Sequence, residues 1–333
     1  MKAITGLSIK NLKVINMKAY LFSLIMFSLG IVKCFGQENT YKLPVIDMHL
    51  HVFSNETYWG GNDFSSFAPF SNTVLTSPKT NDGHIKAVLD QMSKYNIVLS
   101  YASGNFEALD SLNIKYPGKF FASIEIRPTP ELLSDNKYLE ILTQKISKGE
   151  IKGIGEVLGF YNGFAPNNPM MDTIYKIAVT YDLPVGIHFG LAPPGSQLSD
   201  SPDMRIEFGN PLMLQDVLIK FPKLRVNIMH AALPLFGDET LAIMYMFPNV
   251  HADIGVVTWA DNYTIESVKE FLIKAGKYGL TDRIMYGSDE MVWPGAIGLS
   301  FDFINNADFL TDKQKRDILY NNAAKFLGLS GKQ

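Results

Sequence analysis

The sequence predicts an α/β fold of the (β/α)₈ TIM-barrel type with a C-terminal helix. Three observations point to it. From residue 44 onward, eight short apolar runs alternate with amphipathic stretches, the pattern of repeated strand–helix units. Histidines and carboxylates stand where those runs give way to loops, the functional face of a barrel. The 333 residues, 47% hydrophobic and 19% charged, exceed one small module but fit one barrel of about 250 residues with extensions. An open doubly wound sheet would also alternate, but no Gly-x-Gly-x-x-Gly follows a strand to mark a dinucleotide site.

Residues 1–36 differ in kind. Lys18 precedes the apolar run "AYLFSLIMFSLGIV", Ala19 to Val32. Its 14 residues are short for a membrane span, which needs about 20. They suit the apolar region of a secretory signal. Cys34 and Gly36 take the small positions a signal peptidase favours, so cleavage is expected between Gly36 and Gln37. Met17-Lys18 would itself start such a signal, making the first 16 residues an upstream extension. A lipid anchor on Cys34 is disfavoured because Lys33 precedes it. The expected product is a single barrel domain, 37–333, exported to the periplasm or the exterior without a stable membrane anchor.

Loss of residues 1–36 removes five lysines and no acid, leaving 25 basic against 33 acidic residues, a formal charge of −8. No excess of basic charge invites nucleic acid. The expected partner is a small-molecule substrate, and a homo-oligomer is compatible. The only cysteine also goes, so neither a disulfide nor a thiolate metal site is available.

Strands are expected at 45–51, 97–101, 120–126, 151–157, 184–188, 224–230, 250–254 and 284–288. Several are rich in Ile and Val, as in strands buried on both faces. Helices are expected at 82–95, 105–115, 136–148, 169–181, 210–220, 239–247 and 264–275. Pro184 in "YDLP" and Pro222 in "KFPKL" mark helix-to-strand turns. "TDKQ", 311–314, is a capping box opening the last helix. Two long loops follow strand ends. Residues 52–80 hold Tyr58, Trp59, Phe64, Phe67 and Phe70, and 189–209 hold Arg205.

The first strand, "VIDMHLHVF", raises the functional question. Side chains alternate across a strand, so Asp47, His49 and His51 share one face, and Met48 and Leu50 the other. A buried face of Asp-x-His-x-His needs hydrogen bonds or a ligand for imidazole. Further along, "GIGEV" puts Glu156 near the end of strand four, and "LPVGIH" ends strand five in His188. "RVNIMH" ends strand six in His230, and "IMYGSDE" puts Asp289 just after strand eight. A closed barrel brings these ends to one mouth. His84, on an expected surface helix, and His251, at the start of strand seven, read as structural or solvated.

Imidazole and carboxylate without thiolate suit a divalent ion, zinc first, with manganese, iron or cobalt as alternatives. Water bound to such an ion ionises near neutrality. Asp289 beside that water can take its proton and pass it to a leaving group, and an unligated His230 could polarise a carbonyl.

The set "DMHLH", "GIGEV", "PVGIHFG", "IMH" and "MYGSDEMVWP" resembles the amidohydrolase superfamily, in its amidohydrolase-related branch. That branch includes aminocarboxymuconate-semialdehyde decarboxylase. "ILYNNAAKFLGL" resembles its closing helix, which packs beneath the barrel, and the resemblance spans roughly residues 44 to 329. It implies metal binding by His49, His51, His188 and Asp289. Glu156 and His230 would join them if Glu156 bridges two ions; with one ion, His230 would be catalytic. Lys152, two alternations earlier than Glu156, is a poorer bridge. Asp47 becomes a partner behind the ligands. Ala231 and Ala232 stand where many relatives carry glycine.

The leading expectation is a hydrolase of amides, esters or lactones. The alternative is a non-oxidative decarboxylase of the same fold, which needs a pocket cation for a substrate carboxylate, Arg127 or Arg205. A non-catalytic metal-binding barrel is the third. Trp59, Trp259 and Trp293 are candidate pocket walls, Trp293 foremost because it lies four residues past Asp289.

Overall fold

The computed structural model describes residues 42–65 and 74–329. The expected signal segment, Cys34, the Gly36–Gln37 junction, Phe67 and Phe70 lie outside the described residues. Eight strands run in chain order around one sheet: β1 Val45–His51, β2 Ile97–Gly104, β3 Phe120–Ile126, β4 Gly153–Val157, β5 Pro184–His188, β6 Arg225–Met229, β7 Val250–Asp253 and β8 Ile284–Met285. Successive strands pair in parallel. Backbone bonds join the two ends of the sheet. Met48 N donates to Tyr286 O at 2.9 Å, Asp289 N to His49 O at 2.7 Å and His51 N to Glu290 O at 2.8 Å. The expected barrel is therefore present, and closure removes its free edges.

Helices follow the strands: α1 Asn81–Lys94, α2 Phe106–Lys115, α3 Pro130–Ser134, α4 Asn136–Ser147, α5 Asp172–Thr180, α6 Leu214–Lys220, α7 Gly237–Met246, α8 Asn262–Tyr278 and α9 Gly295–Asn305. Their ends carry local signals. Thr80 caps α1 by accepting from Gly83 N, and Asp261 caps α8 by accepting from Thr264 N. The capping box of Thr311 and Gln314 is formed in full. The main core lies between barrel and helices, with Val45, Leu50, Ile124, Ile154, Val185 and Ile228 facing Val88, Leu142, Ile174 and Leu272.

Helix α9 had no counterpart in the sequence reading. Its buried residues, Ala296, Ile297, Gly298, Ser300, Phe301 and Ile304, spread over more than half of its circumference, and Leu299 on the exposed side is apolar too, so the polar face that makes a helix legible is narrow. Strand β1 also departs from simple alternation. Its pairing with β2 shifts register between Asp47 and Leu50. Met48 thus packs with Tyr101, Phe121, Met229 and Met285, while Leu50 joins the main core; they do not share one face.

The C-terminal segment, 312–326, closes the end of the barrel opposite the mouth. Ala323, Phe326 and Leu327 pack on Ile46, Met48 and Met285. Asn322 Nδ2 donates to Thr281 O at 2.8 Å and Ile284 O at 2.7 Å. At the mouth, the short pair Phe64–Ser65 and Val74–Leu75 helps form a small aromatic cluster, Phe64, Trp259, Trp293, Val292 and Ala296. No helix of the described residues is long and apolar enough to cross a membrane.

Candidate metal centre

The barrel mouth gathers six chemically able side chains. Strand β1 delivers His49 and His51, β4 delivers Glu156, and β5 ends in His188. His230 follows β6 directly, and Asp289 lies in the turn after β8. All six are buried.

Glu156 sits at their centre and divides its oxygens. Oε1 lies 2.8 Å from His188 Nδ1 and 3.3 Å from His230 Nε2. Oε2 lies 3.2 Å from His51 Nε2 and 3.6 Å from His49 Nε2. Asp289 Oδ1 lies 3.2 Å from His51 Nε2 and 3.3 Å from His49 Nε2. Two overlapping donor groups result, His49–Glu156–His230 and His49–His51–Asp289.

The outer nitrogens explain how the rings are aimed. His49 Nδ1 lies 3.3 Å from Asp253 Oδ1, His51 Nδ1 3.5 Å from Glu125 Oε2 and His230 Nδ1 3.1 Å from Gly255 O. Asp253 and Gly255 O accept the outer N–H of His49 and His230, and the Glu125 carboxylate lies near the outer nitrogen of His51; a metal that displaced the inner proton would then find the Nε2 lone pair of each ring turned inward. Asp253 also accepts from Asn227 Nδ2 at 2.7 Å, Gly255 N at 2.9 Å and His230 N at 3.2 Å. Gly255 and Gly287 let the chain pass close by. A Cβ on either would stand 2.9 Å from His49.

Two site residues adopt backbone that non-glycine residues avoid: His230 has φ 60° and Asp289 φ 49°. Such strain persists only where surroundings hold it. His230 N is held by Asp253, and Asp289 N by His49 O. Asp47 holds the preceding Ser288, accepting from its N at 2.8 Å and its Oγ at 2.6 Å. It thus braces, from behind the cluster, the turn that carries Asp289. Ala231 and Ala232 continue the left-handed turn, with φ 49° and 55°, at the positions where glycine was expected of relatives.

Electrostatics match this crowding. Burial acts to raise the Asp289 carboxyl, but His49 and His51 outweigh it and hold it down at about 2. Glu156 is likewise held well below its ordinary value, burial being outweighed by His188, His230 and His49. Burial acts to lower His49 and His51, yet carboxylates hold both well above the ordinary value, Asp289 and Asp253 for His49 and Asp289 and Glu125 for His51. Protons on these rings balance the buried carboxylates; a cation among them would do the same.

The donor set fits a divalent cation. It is imidazole and carboxylate without thiolate. The buried Nε2 atoms of His49 and His188 have no hydrogen-bond partner, a costly state for polar atoms that a ligand would relieve. His188 turns Nδ1, not Nε2, toward Glu156.

The other candidates scatter. Arg127 reaches a cavity beside the centre, but its Nε donates to Glu125 Oε1 at 3.0 Å. Arg205 donates to the carbonyls of Pro202 and Met204 at 2.9 and 2.8 Å, so it ties its own loop and does not line that cavity. Trp59 lines the cavity. Trp293, expected foremost, is buried behind Trp59 at a ring distance of 5.3 Å and donates to Asn62 O. Trp259 is buried and donates to Ser288 O. Lys152 is exposed. His251 lies against Phe326 at the far end. His84 is not on a surface: it is fully buried against Glu290.

Two partners escaped the sequence reading. Asp253 ends the apolar run of strand seven, the criterion that identified the members of the cluster. Glu125 is a charge inside the apolar run "SIEIR", and only the fold brings it to His51.

The sequence model of one family, described as Amidohydrolase, matches residues 46–329. No curated protein matches the chain. Solved structures match across most of it. An uncharacterized TIM-barrel protein from Bordetella bronchiseptica is 16% identical with a TM-score of 0.62, covering 87% of this chain and all of that one (100%). 2,6-Dihydroxybenzoate decarboxylase from Rhizobium is 15% identical, TM-score 0.57, covering 87% and 100%. A probable 2-pyrone-4,6-dicarboxylic acid hydrolase from Acinetobacter baumannii is 14% identical, TM-score 0.56, covering 86% and 100%. At these identities the likeness is one of fold.

Proposed function

The chain belongs to the amidohydrolase family, and on that premise we propose that it hydrolyses an amide, ester or lactone with Asp289 as general base. The family consists of metal-dependent enzymes. Zinc is the ion this reading favours. His49, His51, His188, His230, Glu156 and Asp289 would hold it. When bound it polarises the substrate carbonyl and acidifies water.

The observation that carries the reading is the divided Glu156. Its two oxygens serve separate histidine pairs, which favours two ions sharing it. Asp289, ionised at neutral pH and pressed against His49 and His51, is equipped to take a proton from water and deliver it to the leaving group. With one ion, His230 would instead be free to polarise the carbonyl.

The state of the arginines weighs against decarboxylation. That reaction needs a cation for a substrate carboxylate, yet Arg127 is paired with Glu125 and Arg205 with its own loop. Elemental analysis of protein purified without chelator should give about two ions per chain. Asp289→Asn should lower turnover on an ester, amide and lactone panel by at least about 100-fold. Undiminished turnover would remove Asp289 from the mechanism; carbon dioxide release from an aromatic acid would favour the alternative.

Export is part of the same proposal and rests on the sequence of residues 1–36. N-terminal sequencing of the secreted or periplasmic protein should begin at Gln37; a start at Met1 would exclude it.

A further inference from the structure

A cavity of about 510 Å³ opens beside the metal centre, at the ends of β1, β2 and β3. His51 and Glu125 form its inner end. Trp59, Phe106, Leu132, Tyr138 and Met291 contribute its walls. The volume lies within the range of small-molecule sites, roughly 300–1,000 Å³. Trp59 is 49% exposed there, a large apolar surface left at the mouth for something to cover.

Arg127 and Glu125 pair with each other inside this cavity. Arg127 donates to one oxygen of Glu125, and the other Glu125 oxygen faces His51 at 3.5 Å. Burial pushes the Tyr138 hydroxyl up to about 12, so that wall stays neutral. A substrate carboxylate entering here would meet the fixed carboxylate of Glu125 before it gained Arg127.

We propose that this cavity is the specificity pocket for a neutral aromatic or branched apolar arm of the substrate, seated against Trp59, Phe106 and Tyr138. The inference rests on the hydrolase reading for which group reacts: the scissile carbonyl would stand at His51 and Asp289, with the arm extending past Glu125. Ring-on-ring contact supplies the recognition, and Trp59 and Phe106 are the specificity-determining walls. The pocket thus selects neutral aryl or branched alkyl esters, amides and lactones over acids carrying a charge at the far end.

Calorimetric titration with non-hydrolysable ketones tests this apart from turnover. Phenylacetone should bind the full-chain protein at least about tenfold tighter than acetone, and tighter than the analogue with a para-carboxylate on its ring. Trp59→Ala should erase most of the phenylacetone-to-acetone ratio while metal content per chain stays unchanged. Equal binding of the two ketones, tighter binding of the carboxylated analogue, or a ratio unchanged in Trp59→Ala would overturn the proposal. A normal binding ratio without hydrolysis of any ester, amide or lactone would sink the hydrolase reading and leave the pocket standing.

Discussion

His84 clasps Glu290 at both carboxylate oxygens, with Nε2 at 2.8 and 3.0 Å, and both side chains are fully buried. The pair fastens α1 to the turn that carries Asp289. Glu290 O accepts from His51 N at 2.8 Å, and Glu290 N donates to Ser288 Oγ at 3.2 Å. The left-handed Asp289 is therefore braced on both sides, by Asp47 through Ser288 and by His84 through Glu290.

His84→Ala leaves the Glu290 carboxylate buried without its partner, and removal of one member of such a pair costs about 3–5 kcal/mol. His84→Gln, which restores one N–H donor, should recover part of that loss. Denaturant unfolding of the metal-loaded variants checks both. An unchanged midpoint for His84→Ala would mean that the clasp does not hold the turn.

Asp253→Asn should weaken metal binding by about 10–100-fold. The amide can still accept one bond, but it no longer offers a charged acceptor to His49 Nδ1 while holding Asn227, Gly255 N and His230 N. Competition titration against a coloured chelator measures the loss. Wild-type affinity in the variant would show that Asp253 does not aim His49.

Removal of metal should lower the melting temperature reversibly. Binding to the folded state alone stabilises by about 2.7 kcal/mol at 100 times the dissociation constant. Without the ion, Glu156 and Asp289 depend on protons held by His49 and His51. Melting with EDTA, then with added zinc, tests this; one curve for all conditions would mean that the cluster holds no ion.

Acid sensitivity should have a component far from the centre. Burial first, then Arg283 and Lys325, push His251 down from 6.5 to about 3, so the folded state keeps it neutral while the unfolded state takes up a proton. Its contribution to stability is present above pH 6.5 and is lost as pH falls from there toward 3. The loss amounts to up to about 5 kcal/mol. His251→Gln lacks this component, so the stability gap between wild type and variant should move against the wild type across that window. A constant gap from pH 7 to 4 would refute it.

The barrel was legible because its signal is local. Ile- and Val-rich runs, Pro184, Pro222 and the Thr311–Gln314 box each state their element within a few residues, and strand-end polar residues marked all six members of the cluster. Helix α9 was hidden because apolar residues cover most of its circumference, Leu299 on the exposed side included, which leaves little of the contrast between apolar and polar faces that marks a helix. His84 was misplaced because its helix covers the Asp289 turn, a contact that spans 206 residues of chain.

The sequence by itself determined the repeating strand–helix pattern and the donor chemistry of His49, His51, Glu156, His188, His230 and Asp289, since periodicity and residue type reside in neighbouring positions. Only the tertiary structure decided that Glu156 divides its oxygens, that Asp253 and Glu125 aim the rings, and that Glu125 neutralises Arg127 in the pocket. Those are distances between groups on different strands. Barrel closure sets them, and no local pattern in the chain encodes where two strand ends finally meet.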